Sequence, residues 1–365
     1  MSKSLTKKQE YLVLGVMSGT SVDGLDLALV QFHQANDPFL DESYWAFKLI
    51  EADTLPYSEQ WAHDLKNAIQ FSDHELKAFD LEYGLYLGHQ INSFLKDKPK
   101  PDFIASHGHT VFHQPEKGIT LQVGNGEVIH EECKLPVIYD FRSLDVSLGG
   151  QGAPLVPIGD RDLFKAFDFC LNLGGIANIS FDENGQRKAF DICPINMALN
   201  PIAKLLGAEY DDGGKWARQG QTDQELLNQL NAIAYCQLPY PKSLGLEDYL
   251  QSWQPIIQAS TISPEDKLST LVEHVAMQIA SIVNGIKPGA KLLVTGGGAY
   301  NHYFLERLKT LCQAEVLVPS EKIISFKEAI VFAYLGLLRL HDEPNCLASV
   351  TGACRDNSGG KLSGF

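Results

Sequence analysis

The chain has 365 residues, 44% hydrophobic and 21% charged, which excludes disorder over most of its length and argues for two domains. A formal net charge of −15 argues against nucleic acid as a partner, because phosphate backbones select basic surfaces. Seven cysteines without zinc-like spacing read as reduced thiols, and the polar start MSKSLTKKQE and the lack of any bilayer-length apolar run lead us to expect a cytoplasmic protein with no membrane contact.

Tyr11 to Met17 and Leu25 to Phe32 are short apolar runs flanking SGTSVDG, a turn by composition, so they read as a hairpin. Ser72 and Glu75 have capping-box spacing ahead of Leu76, Phe79, Tyr83, Leu87, Ile91 and Phe94, which share one helical face. Strands are expected at 103–106, 119–123 and 137–139. The Gly- and Pro-rich DFRSLDVSLGGQGAPLVP then suggests a domain boundary, with Gly149–Gly152 as part of a hinge. FCLNLGGIANISF repeats the plan of strand, glycine turn and strand, so the two halves are expected to share one supersecondary design. Ser263-Pro264 opens a long helix with Leu268, Leu271, Val275, Ile279 and Ile282 on one face, ending near Asn284-Gly285. KLLVTGGGAYNHYFLERL reads as strand, glycine turn and helix, and 325–340 as a last helix. Strands alternating with helices indicate the α/β class.

Three glycine turns leave apolar strands: Gly19-Thr20-Ser21 with Gly24, Gly174-Gly175, and Gly296-Gly297-Gly298. Glycine lets backbone N–H groups approach a phosphate, and three such turns make that reading as good as the plain hairpin. Neither GxGxxG nor GxxxxGK[ST] is present, so dinucleotide-fold and P-loop binding are unsupported. Asp23 and Asp26, beside the first turn, can hold magnesium through water or simply shape the turn. Asp191 ends the strand-like KAFDI just ahead of a helix near Asn196; it can act as a general base, but spacing favours a helix cap. Glu328 lies three residues after Ser325, the spacing of a capping box. His107 and His109 flank Gly108 on one face of an extended segment, with no acidic or cysteine cluster beside them to complete a metal site.

Together the stretches GVMSGTSVDGLDLALV, SHGHT, LQVGN, DFR, GGQGAPLVP, LNLGGIANIS, VTGGGAYN, EAIVFAYL and VTGA resemble, in order, those of the anhydro-N-acetylmuramic acid kinases. The resemblance covers nearly the whole chain. It implies a two-domain actin-like ATPase (ribonuclease H-like) α/β fold with ATP in the interdomain cleft. The domains would be 1–145 plus 341–365, and 146–340. It implies ATP and Mg2+ as cofactors and an anhydrosugar as substrate, the 1,6-anhydro ring being opened and the 6-oxygen phosphorylated during peptidoglycan recycling. ATP would meet Gly19, Thr20, Ser21, Val22, Asp23, Gly24, Leu25, Asp26, Gly174, Gly175, Gly296, Gly297, Gly298 and Asn301, with Asp23 as the water-mediated metal contact. Asp191 matches the catalytic base, and His107, Arg142, Asn196 and Glu328 fall on the sugar side. A homodimer is compatible with the resemblance.

Two stretches depart from the family pattern. DICPIN carries Cys193 and Ile195 where glycines are usual, and PKSLGLE carries Leu244 and Leu246 where the family has Thr and Arg. They leave open a kinase of another anhydrosugar, as in levoglucosan kinases. A non-catalytic nucleotide-binding sensor is the alternative from a different class, and retention of Asp191 argues against it.

Overall fold

The structure is a computed structural model and describes residues 8–19, 22–36 and 43–365. By compactness the chain forms two units, Met1–Leu163 with Phe326–Phe365, and Phe164–Ser325.

The first unit holds β1 (Glu10–Ser18), β2 (Leu25–Asn36), β3 (Ser43–Leu55), β4 (Phe103–Ser106), β5 (His109–Gln114), β6 (Ile119–Val123) and β7 (Val137–Tyr139). The second holds β8 (Phe169–Leu173), β9 (Ile176–Glu183), β10 (Gln186–Pro194), β11 (Lys291–Thr295) and β12 (Glu315–Leu317), and β13 (Lys361–Ser363) returns to the first. The first sheet runs β13-β7-β4-β1-β2-β3 and the second β10-β9-β8-β11-β12. In both, the first three strands pair antiparallel and the next two join parallel to the first. Both expected hairpins are thus present, and the two units share one plan, the duplicated α/β design implied by the resemblance to actin-like ATPases.

β1 is apolar on both faces because both are covered, as a central strand of such a sheet requires: Val13 and Leu14 are fully buried. Gly15 has a packing reason. A Cβ there would lie 1.9 Å from the Ala329 carbonyl oxygen, so only glycine lets the helix Glu321–Leu340 lie against the strand. Leu76, Phe79, Tyr83, Leu87, Ile91 and Phe94 of helix Asp73–Leu95 are all buried, and both hydrogen bonds of the Ser72–Glu75 capping box form. In the second unit, helix Pro264–Ile286 starts at Ser263, whose side chain accepts from the Asp266 N–H, and buries Leu268, Leu271, Val275 and Ile279. No helix among the described residues is long and apolar enough to cross a membrane.

The units divide at Leu163/Phe164 and Ser325/Phe326 rather than at 145/146 and 340/341. The GGQGAP stretch stays in the first unit because Asp145 binds it to the C-terminal segment, accepting hydrogen bonds from Gly152 N, Thr351 Oγ1 and Asn357 Nδ2. Gly149–Gly152 is therefore pinned inside one unit and not at a crossing. The helix expected at 325–340 begins at Glu321, four residues before Ser325, and a short helix Ala348–Thr351 follows it. Ser325 and Glu328 thus lie inside the longer helix, and the capping-box reading of that pair is corrected.

Candidate active site

The turn after β1 is closed by Val22 N–H donating to the Gly19 carbonyl at 3.2 Å; Thr20 and Ser21 fall outside the described residues. Val22 is a β-branched residue held at φ +56°, a costly left-handed conformation. Its side chain and that of Leu25 enter the core, so these two can reach a ligand only through their backbone. Gly24 is required by packing, since a Cβ would sit 2.5 Å from Thr54 Cγ2. Asp23 is exposed, and half-buried Asp26 accepts from Thr54 Oγ1 at 2.6 Å. Burial pushes the Asp26 carboxyl up to about 6 against the opposing Thr54 bond, with the Asp23 and Glu328 charges adding to the push.

In the second unit the two glycine turns meet. Gly296 lies at φ +81° and a Cβ there would be 2.6 Å from Asn172 Oδ1; one on Gly298 would be 2.6 Å from Leu173 Cβ. Those glycines are demanded by the fold. Gly174, Gly175 and Gly297 are not: a Cβ would meet no protein atom nearer than 3.6, 3.7 and 3.8 Å respectively, and none has a positive φ. The space beside these three glycines leaves their backbone open to the close approach of a ligand such as a phosphate chain. Asn196 opens the helix Asn196–Leu205 and binds it to the strand end before Gly174 through Nδ2 to the Leu173 carbonyl at 3.1 Å. Gly175 O accepts from both Ile195 N and Met197 N. Asn301 has a structural duty that the sequence reading missed: its side chain caps helix His302–Leu311 by accepting from Phe304 N at 2.9 Å.

Asp191 lies near the end of β10, where the register with β9 shifts between Asp191 and Cys193. It caps no helix: Ile195 is the N-cap of the helix that follows, without a side-chain bond. Instead DICPIN and PKSLGLE meet here. Asp191 N–H donates to Lys242 O at 3.1 Å, and Leu244 N–H donates to Asp191 Oδ2 at 2.9 Å. Tyr235 Oη holds the Asp191 carbonyl at 2.8 Å. Asp191 Oδ1 has no hydrogen-bond partner among the described residues. Burial raises the carboxyl above its ordinary range and the Leu244 N–H opposes the shift. The departures from the family pattern are largely absorbed by the core: Cys193 and Ile195 are fully buried and Leu244 nearly so, whereas Leu246 is exposed.

In the first unit, His107 and Arg142 are in contact. Arg142 Nε and Nη2 lie 3.0 and 2.9 Å from His107 Nε2, and His107 Nδ1 lies 2.8 Å from Gly108 O. Both ring nitrogens of His107 are thus committed to protein, which leaves neither of them to hydrogen-bond a sugar. Its imidazole is held neutral by burial and by the Arg142 charge. His109 pairs separately with Ser18 Oγ at 3.1 Å, so the two histidines do not converge on one point. Glu328 is exposed; surrounding protein pushes its carboxyl up, and the Arg142 and Lys327 charges oppose that push. Its access to water weakens the push compared with a sealed carboxyl. A cavity of about 260 Å³, as apolar as it is polar, adjoins His107, lined also by Ser106, Leu121, Gln122, Val123 and Asn125.

The sequence model of the family described as anhydro-N-acetylmuramic acid kinase matches residues 11–363. The chain is 34% identical to the anhydro-N-acetylmuramic acid kinase of Saccharophagus degradans, over 94% of this chain and 96% of that one. It is 36% identical to that of Shewanella denitrificans, over 95% and 96%, and 35% identical to that of Vibrio cholerae, over 95% and 96%. Among solved structures, component A of the Acidaminococcus fermentans (R)-2-hydroxyglutaryl-CoA dehydratase aligns over 88% of this chain and 95% of that one, at 11% identity and a TM-score of 0.45, too distant to add to the argument. On the family match and these relatives, the chain belongs to the anhydro-N-acetylmuramic acid kinase family.

Proposed function

We propose that the protein uses ATP and magnesium to open the 1,6-anhydro ring of anhydro-N-acetylmuramic acid and phosphorylate its 6-oxygen. Family membership supports the kinase activity, and the geometry of Asp191 supports the ring opening. Bound ATP supplies the γ-phosphoryl group, and magnesium offsets charge on it.

Asp191 Oδ1 takes a proton from water as the water oxygen bonds to the anomeric carbon. The bond from that carbon to the 6-oxygen breaks, and the released oxygen accepts the phosphoryl group. One oxygen of the carboxylate is fixed by Leu244 N–H, so the other is presented in a set orientation. Gly174, Gly175 and Gly297 leave room for backbone N–H groups to approach the phosphates. Asp23, an exposed carboxylate beside the first turn, would hold magnesium through water, since magnesium ordinarily takes one or two carboxylates beside substrate phosphates. Arg142, Glu328 and Asn196 would face the sugar.

The single observation that carries the mechanism is that Asp191 caps no helix and keeps one carboxylate oxygen unbonded. Asp191→Asn tests it: turnover should fall by about a hundredfold or more with ATP binding preserved.

A further inference from the structure

Stretches far apart in the chain are joined through two side chains: Arg142 of DFR bonds His107 of SHGHT and Gly152 of GGQGAP, and Asp145 ties Gly152 to Thr351 of VTGA. On one side Arg142 Nε and Nη2 reach His107 Nε2; on the other its Nη1 donates to the Gly152 carbonyl at 2.6 Å. His107 is 4% exposed and its ring lies 4.6 Å from that of Phe332. With Nδ1 donating to Gly108 O, its Nε2 is the acceptor that a guanidinium needs. Gly152 is itself held, because its N–H donates to Asp145 Oδ2 at 2.8 Å. Asp145 is fully buried, and its Oδ1 accepts from Thr351 Oγ1 at 2.9 Å and Asn357 Nδ2 at 2.8 Å. Its backbone carbonyl accepts from Gly150 N at 2.9 Å.

A guanidinium has five N–H bonds in a fixed fork. Three are engaged with the protein, which leaves two for a ligand. An unrestrained arginine loses rotamer freedom when it binds, and a clamped one has little left to lose. We propose that His107 and Asp145 are positioning residues that clamp Arg142 from two sides, His107 directly and Asp145 through Gly152, so that its two remaining donors meet an oxygen of the anhydrosugar. This rests on the sugar-kinase reading, in which Arg142 faces the substrate. Neither His107 nor Asp145 touches the sugar; both act through Arg142.

The test uses His107→Leu, His107→Gln and Asp145→Asn in the full chain. Leu removes the acceptor while keeping bulk against Phe332. Gln can present an amide oxygen close to where Nε2 lies. Asn keeps the shape of Asp145 but sets an N–H group against donors. For His107→Leu, KM for the anhydrosugar should rise about tenfold to a hundredfold, the range of a lost charge-assisted hydrogen bond, with KM for ATP unchanged. His107→Gln should recover most of that loss, and Asp145→Asn should raise KM for the sugar alone. Combined with Arg142→Lys, His107→Leu should add little further loss, because both act through one contact. The proposal is overturned if His107→Leu keeps the wild-type KM for the sugar, or if His107→Gln is as impaired as Leu. It is also overturned if the effects of His107→Leu and Arg142→Lys simply multiply. If His107→Leu does not fold, Asp145→Asn and the Gln variant in the Arg142→Lys background decide by the same criteria. Wild-type turnover separates the two readings: turnover with insensitive variants overturns the clamp alone, and no turnover of any anhydrosugar overturns both.

Discussion

Two readings of Asp191 lead to different numbers. As a cap it would be replaced by Asn at a cost of about 1 kcal/mol or less, with activity nearly intact. As a general base it cannot, and Asp191→Asn should lower kcat by about a hundredfold to ten-thousandfold while ATP binding by calorimetry is preserved. Retention of more than about a tenth of wild-type turnover would rule the base out and make Glu328 the next residue to test. The base works ionised, and burial raises its carboxyl above the ordinary range. The acid limb of the wild-type pH–kcat profile should therefore lie above the ordinary aspartate value, and Asp191→Asn should abolish that limb. Asp26 makes a separate prediction about stability. Its folded value of about 6 against 3.8 means that the folded state binds the proton more tightly. The stabilisation is full below the unfolded value and is lost as pH rises through 6. Asp26→Asn keeps an acceptor for Thr54 and should flatten the fall in melting temperature across that interval. An unaltered pH dependence would contradict the assignment.

Much at this scale was legible in the residues, and the limit was distance along the chain. The Ser72–Glu75 box could be read because both partners lie within one turn. The same spacing misled at Ser325 and Glu328, because Ser320-Glu321 offers a competing start five residues earlier, and the helix begins there, with Ile324 N–H donating to Ser320 O. Asp191's partner lies 53 residues further on and Asp145's lie 206 and 212 residues away, so no window of sequence shows them.

At the scale of elements, the glycine turns divide into those the fold requires and those it does not. Gly296→Val should destabilise the protein, because the residue combines a left-handed backbone with a Cβ 2.6 Å from Asn172 Oδ1. Gly174→Val should leave the melting temperature close to wild type, since no protein atom lies within 3.6 Å of the added Cβ, and should weaken ATP binding strongly. Equal ATP affinity in wild type and Gly174→Val would remove that turn from the phosphate site. The sequence marked all these glycines alike, because composition reports a turn without reporting what lies above it. Only the packed structure separates Gly174, Gly175 and Gly297 from Gly296 and Gly298.

On the scale of the whole molecule, one supersecondary plan is used twice. The strand, glycine turn and strand of the two halves foretold this, since β1–β2 and β8–β9 begin equivalent sheets. The dividing points were less legible: GGQGAP looks like a linker by composition, yet Asp145 holds it within one unit. The family assignment and the freed carboxylate of Asp191 together make one claim, that this fold couples ring opening to phosphoryl transfer. Mass analysis of products, after incubation with ATP, magnesium and a panel of anhydrosugars, tests that claim most directly. The expected product is a ring-opened 6-phosphate of anhydro-N-acetylmuramic acid, heavier than the substrate by one water and the transferred phosphoryl group. A phosphorylated product with its anhydro ring intact, or turnover of levoglucosan with none of the muramic sugar, would contradict that claim.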